Sequence, residues 1–375
     1  MSKLARNLLV TTALVAATGA AFAAFAARTG NGTQANAANP LRISMLADSN
    51  GSQAFMGTVQ FRITNNSNDI VKVPSWLLPS SEATGKLFDV SRGGKQVDYL
   101  GPMIKRAAPT EADLVTFQPH ETKVVSVDLS RAYDLSAGGD YTVRFRSTLQ
   151  GAFNGKGQRI AAADGRLLNF ESVPLKLWVD RNNPLLSLQP ESARPGSPGA
   201  TSTVNGVTYV GCTTSRINSA GTAVVEARKY SENSKLYLNA GTQGPRYTTW
   251  FGAYTSSRYS TVRSHFANID SAMDQSGGQI KINCGCNQNY YAYVYPTKPY
   301  EIFVCKAFWS APTTGTDSKA GTLIHEMSHF NVVAGTDDHV YGQSGAKSLA
   351  ISNPNNAVDN ADNHEYFAEN NPKQN

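Results

Sequence analysis

Alternating apolar and polar positions run through the first half of this chain. In residues 58–64, 123–129 and 141–145 every second side chain is apolar, which puts the apolar set on one face of an extended backbone. Strands at this spacing predict a small antiparallel sandwich. Further on the period lengthens: residues 220–238, 256–273, 320–330 and 345–351 carry helical text, with strand-like runs at 290–295 and 300–308. Residues 182–205 are rich in Pro, Ser, Gly and Asn and read as an exposed linker. The pattern therefore predicts two domains, an N-terminal all-β, sandwich-like one over residues 40–181 and a C-terminal α+β one over residues 206–375. No internal repeat is visible.

The extreme N-terminus has a different character. Lys3 and Arg6 precede a mostly apolar run over residues 8–27, and small residues offer cleavage after Ala23 or Ala26. This reads as a signal peptide over residues 1–26, which predicts a secreted product. No later segment approaches the ~20 apolar residues a membrane-spanning helix needs. The formal net charge is +6, but it is unevenly placed: residues 1–207 hold 21 Lys and Arg against 15 Asp and Glu, and residues 208–375 hold 13 against 13. No basic run with interleaved aromatics accompanies the excess, so no nucleic-acid partner is expected.

Export changes how the four cysteines read. Cys212, Cys284, Cys286 and Cys305 all lie in the second half. The Cys284-Gly285-Cys286 spacing is too tight for a comfortable bridge between its own members, so each should pair outward. Two disulfides are expected rather than a four-thiolate zinc site, whose knuckles normally have two-residue spacers.

The chemistry concentrates in His325-Glu326-Met327-Ser328-His329, followed nine residues later by Asp338. Histidines four apart share one helix face, so both imidazoles can reach one zinc ion at ~2.0–2.1 Å. Glu326 projects from the same turn and is placed to take a proton from a water activated there. A catalytic zinc usually keeps three protein ligands. A pattern with Gly and His three and six residues after the second histidine fails, because Val332 and Gly335 stand there. A later Glu365 or Glu369 could serve, as could a carboxylate just past the helix, where Gly335-Thr336 can turn the chain back. Asp338 fits that last option, with Asp337 and His339 as close competitors for the same role.

Residues 209–372 resemble the deuterolysin-type zinc metalloproteases called aspzincins, and within them the peptidyl-Lys metalloendopeptidases. The likeness is carried by His325–His329 with Gly335–Asp338, by residues 245–252, 292–296 and 311–317, and by residues 360–367. It implies a zincin-type protease fold, one catalytic zinc held by His325, His329 and Asp338, Glu326 as general base, and Tyr341 as the hydroxyl that stabilises the oxyanion. It also implies disulfides Cys212–Cys284 and Cys286–Cys305, and an N-terminal pro-domain. Asp337 and His339 fall at variable places of the motif.

The same resemblance implies that Asp362 and Glu365 line the pocket for the residue after the cut. An i, i+3 pair on a helix can point both carboxylates into one pocket, and two carboxylates suit the compact ammonium of lysine better than arginine's planar fork. His364 between them is expected to be structural. The reading is a secreted zinc endopeptidase made as a zymogen and cutting on the amino side of lysine. Its alternatives are a broad-specificity aspzincin and a catalytically silent secreted binding protein. The pro-domain is expected to inhibit in cis by offering a lysine to the acidic pocket, with Lys156 in Gly155-Lys156-Gly157 as the best-shaped candidate and Lys95 and Lys105 behind it. No lysine lies between Lys176 and Lys229, so self-processing near the linker would have to fall at Leu175–Lys176.

Overall fold

The computed structural model describes residues 39–47, 57–81, 85–182 and 200–375. The expected signal peptide and most of the expected linker lie outside the described residues. In the first half, the alternating segments are strands. Thr58–Asn65 lies between Leu41–Ala47 and Thr122–Asp128, antiparallel to both. Val59, Phe61 and Ile63 on one of its faces are buried, as a period of two requires. Gly139–Thr148 anchors another sheet, pairing with Phe88–Arg92, Asn169–Glu171 and Leu175–Val179. The two sheets meet through aromatic rings, with the Phe61 centroid 5.3 Å from Phe88 and 6.2 Å from Phe145. The first half is β-rich, with short 3-10 turns and no α-helix among its described residues.

The second half is α+β. The helix Thr214–Asn239 starts at Thr213, whose side chain accepts from the Arg216 amide, and packs against Ser256–Met273 and Lys319–His329. Beside the helices runs a six-stranded sheet in the order Thr201–Val204, Val207–Val210, Lys281–Asn283, Glu301–Val304, Tyr290–Val294, Met103–Arg106. Disulfides join Cys212 to Cys284 and Cys286 to Cys305. The first ties the ends of two neighbouring parallel strands, and the second fixes the turn leading into Tyr290–Val294. Among the described residues no helix is long and apolar enough to cross a membrane.

Four features differ from the sequence pattern. Thr201–Val204, at the end of the expected linker, is a strand paired with Val207–Val210. Residues 300–308 divide into the strand Glu301–Val304 and the short helix Lys306–Ser310. Pro245–Phe251 is a helix too short for a period to declare it, started by its proline and ended by Gly252 at φ 74°. Ala361–Glu369 is a helix outside the segments of helical text, and every one of its residues is buried. The largest consequence for function is the sixth strand. Met103–Arg106 comes from the β-rich half yet completes the sheet of the other half, and the described residues all belong to one compact unit.

Candidate active site

Lys319–His329 is buried along its whole length. It begins at Ser318, whose hydroxyl accepts from the Gly321 amide at 2.9 Å. Glu369 secures that start by accepting from the Ser318 amide and hydroxyl, both at 2.8 Å. The helix stops at Phe330, whose carbonyl accepts from the amides of Val333, Ala334 and Gly335. Gly335 at φ 63° takes the left-handed turn that an L side chain resists. The Thr336 amide then donates back to the Ser328 carbonyl at 3.1 Å, so the chain returns along its own helix and delivers Asp338 to the two histidines.

The resulting geometry is a convergence of three donors. Asp338 Oδ1 lies 3.2 Å from His325 Nε2 and 3.4 Å from His329 Nε2. His329 Nδ1 donates to the Thr336 carbonyl at 2.7 Å, which leaves its Nε2 lone pair facing Asp338. His325 Nδ1 lies 2.8 Å from Asp362 Oδ1, and that contact orients its ring in the same sense. His325 Nε2, His329 Nε2 and both Asp338 oxygens are buried with no hydrogen-bond partner in the protein, as are both Glu326 oxygens. Buried polar atoms without partners are costly. Two imidazoles and one carboxylate left unpaired in this way fit a zinc ion with one open position.

Electrostatics follow from burial. The Glu326 carboxyl is pushed up to about 7 by burial, against the pull of the histidines. Burial works against ionised Asp338 too, but His329 and His325 outweigh it and hold that carboxyl well below the usual range. The helix-borne Glu326 and the turn-borne Asp338 are thus set apart, one poised near neutrality and one a committed anion.

Next to this centre is an acidic pocket, and it is filled. Lys105 Nζ lies 2.6 Å from Glu365 Oε2 and 3.4 Å from both Asp362 and Asp317. The Lys105 side chain is 2% exposed. Its ammonium also sits 5.1 Å from the Tyr291 ring centroid and 5.8 Å from that of Tyr366. Burial alone would lower the Lys105 pKa, but Asp362, Glu365 and Asp317 hold it well above the ordinary lysine value. Asp362 accepts from the Gly342 amide at 2.5 Å and is held low by Lys105 and His325 against its burial. Glu365 is pushed up by burial. One carbonyl upstream, the Tyr341 hydroxyl donates to Ile104 O at 3.0 Å.

The pocket thus holds Lys105 and not Lys156. Gly155-Lys156-Gly157 closes on itself, with Asn154 Oδ1 accepting from the Lys156 and Gln158 amides at 3.0 and 2.9 Å, and leaves the Lys156 side chain in solvent. Lys95 is exposed on a hairpin. Lys105 reaches the pocket because its strand pairs with Tyr290–Val294. The remaining candidates have other duties. His364 Nδ1 bonds the Asn360 carbonyl, and its ring stacks on Phe266 at 5.5 Å, where burial pushes it down to about 3. Asp337 pairs with Lys86 at 2.8 Å, and His339 with Asp359 at 2.8 Å. Two residues that sequence reasoning did not single out join the site. Asp317 supplies a third carboxylate, held by the Tyr366 hydroxyl at 2.7 Å. Gln150 grips the main chain of Tyr341. Only membership of the 311–317 segment hinted at the first, and nothing signalled the second.

An HExxH helix whose third donor arrives from a turn, beside an acidic pocket, is the arrangement of a metallo-endopeptidase. The family model described as lysine-specific metallo-endopeptidase, the aspzincins, matches residues 237–369. An extracellular protease of Aeromonas hydrophila is 40% identical over 319 residues, covering 84% of this chain and 89% of that protein. A peptidyl-Lys metalloendopeptidase of Grifola frondosa is 36% identical over 336 residues, 88% and 85% of the two chains. Another, from Pleurotus ostreatus, is 52% identical over 167 residues, 44% of this chain and 98% of that protein. Among solved structures, a zinc peptidase from Grifola frondosa is 48% identical and covers 44% of this chain and 100% of its own, with a TM-score of 0.42. The chain belongs to the aspzincin family of metallo-endopeptidases.

Proposed function

We propose that this chain is a secreted zinc endopeptidase, made as a zymogen, that hydrolyses peptide bonds on the amino side of lysine. One observation carries the lysine reading: the Lys105 ammonium is surrounded by Glu365, Asp362 and Asp317, while the carbonyl just before it accepts from Tyr341. His325, His329 and Asp338 would hold the zinc. When bound, zinc supplies Lewis acidity to the peptide carbonyl and lowers the pKa of the attacking water. Glu326 takes the proton from that water and passes it to the departing amine, for which a carboxyl near neutrality is suited. The Tyr341 hydroxyl donates to the oxygen on which negative charge develops. Asp362, Glu365 and Asp317 bind the lysine side chain and fix the peptide bond's position along the cleft.

In this reading residues 40–181 form the pro-domain and the segment from about 206 onward is the protease, with residues 1–26 as its export signal. An extracellular relative and two disulfides favour secretion. The test is mass spectrometry of the peptides released from a denatured protein by the activated enzyme, with and without chelator. Peptides that begin with lysine, lost on chelation, are expected. Cuts scattered over residue types would leave a broad-specificity endopeptidase, and no cuts would leave a silent protein.

A further inference from the structure

We propose that the Ile104–Lys105 bond is itself a self-cleavage site, seated in the cleft as a substrate and cut when the latent chain activates. This rests on the lysine reading above, and it goes beyond inhibition: an inhibitor needs only to fill the pocket, whereas here the bond that would be hydrolysed is also in register. Four observations carry it. The Lys105 side chain occupies the acidic pocket. The preceding carbonyl, Ile104 O, is the one that an enzyme cutting before lysine must polarise, and it accepts from Tyr341 at 3.0 Å. The segment is extended and paired antiparallel with Tyr290–Val294, Ile104 opposite Tyr293 and Lys105 opposite Ala292, which is how an extended peptide adds to a sheet edge. Finally, Ile104, Tyr341 and Asp338 share the lining of a cavity of about 30 Å³, enough for a water molecule beside the carbonyl.

The step balances with one water. Its oxygen bonds to the Ile104 carbonyl carbon and its proton passes to Glu326. The bond to the Lys105 nitrogen then breaks and the proton moves to that nitrogen, leaving an Ile104 carboxylate and a new Lys105 amino terminus. Both sides of the bond are anchored, which makes the latent state persistent. Met103 is buried, and the Arg106 guanidinium lies 5.0 Å from each of the Trp76 and Tyr290 ring centroids. Leu175–Lys176, the self-processing bond suggested by lysine spacing, has no such placement. It lies within a strand paired to Gly139–Thr148, with Lys176 exposed.

The full-length chain, its Glu326→Gln variant and its Lys105→Ala variant would be incubated separately. N-terminal sequencing and intact mass would be followed over time beside hydrolysis of a lysyl peptide. The wild type should yield a fragment that begins at Lys105 in step with rising peptide hydrolysis, and Glu326→Gln should yield neither. Lys105→Ala should be active from the start and uncut at that bond. A wild-type chain whose 104–105 bond stays intact, whether latent or active, overturns self-cleavage while lysyl-peptide hydrolysis by any of the chains preserves the lysine reading. The same fragment from Glu326→Gln also overturns it. Absence of lysyl-peptide hydrolysis from both wild type and Lys105→Ala overturns both readings. The wild-type measurement needs no substitution, so a variant that fails to fold does not spoil the test.

Discussion

Gln150 holds Tyr341 by both of its main-chain groups: its amide oxygen accepts from the Tyr341 N–H at 2.8 Å, and its amide nitrogen donates to the Tyr341 carbonyl at 2.5 Å. The two residues are 191 positions apart. A loop of the β-rich half therefore reads the backbone of the residue whose hydroxyl meets Ile104. Gln150→Ala removes both bonds, worth about 1 kcal/mol each. The full-length variant should become active faster than wild type, while the fully processed enzyme keeps its kcat/KM. A time course of lysyl-peptide hydrolysis checks this, and unchanged latency would remove Gln150 from the inhibitory contact.

Glu326→Gln should reduce kcat by about 10²–10⁴-fold, the usual contribution of a positioned general base. Metal content of the purified variant, measured by elemental mass spectrometry, should stay at one ion per chain, since the carboxylate is not among the three converging donors. Loss of the metal together with activity would instead make Glu326 a ligand.

Stability of the metal-free protein should depend on that same carboxyl. Burial pushes Glu326 up from 4.5 to about 7, so the folded state retains a proton over a range in which the unfolded chain has released it. Its contribution therefore weakens the fold as pH rises from about 4.5 through about 7. Metal-free Glu326→Gln should be more stable than metal-free wild type at pH 8, with the difference vanishing near pH 4. Urea denaturation at the two pH values measures it, and an equal difference at both would contradict the burial argument.

The acidic pocket should show graded selectivity. Glu365→Gln and Asp362→Asn each remove a charge-assisted contact worth about 1.5–3 kcal/mol, so the preference for lysine over a neutral residue should fall by about 10–150-fold in kcat/KM. Asp317→Asn should cost less, because its side chain is 38% exposed and solvent screens it. Competition between lysyl and norleucyl peptides gives the ratio directly. An Asp317 effect larger than that of Glu365 would reverse this assignment.

The two disulfides should differ in stabilisation. Cys212–Cys284 closes 72 residues and Cys286–Cys305 closes 19. Loop-closure entropy gives about 4 and about 3 kcal/mol respectively. Paired Cys→Ser variants compared by equilibrium unfolding in urea should preserve that order.

Local features were legible because their geometry is local. A helix spaces residues i and i+4 on one face whatever surrounds it, so His325 and His329 announce themselves, and alternation announces Thr58–Asn65 in the same way. Asp338 is less local: its spacing admits a turn at Gly335 but leaves Glu365 and Glu369 as alternatives, and only the family pattern favours it. In the structure Glu369 instead anchors the start of the motif helix and Glu365 faces Lys105. The complete burial of the helix Ala361–Glu369 is not local: its polar residues are buried against one another and against His325, which composition cannot anticipate.

What the sequence by itself determined is local: the HExxH helix, the turn that follows it, and the β-rich and α+β character of the two halves, all written in short-range spacing or family pattern. Only the tertiary structure decided which lysine meets the acids. Lys105 and Asp362 are 257 residues apart, and every lysine upstream has the same side chain. Selection among them falls to strand pairing, since Met103–Arg106 finds an open sheet edge while Gly155-Lys156-Gly157 satisfies its own backbone. Those are long-range backbone hydrogen bonds, and no local pattern of residues encodes their partner.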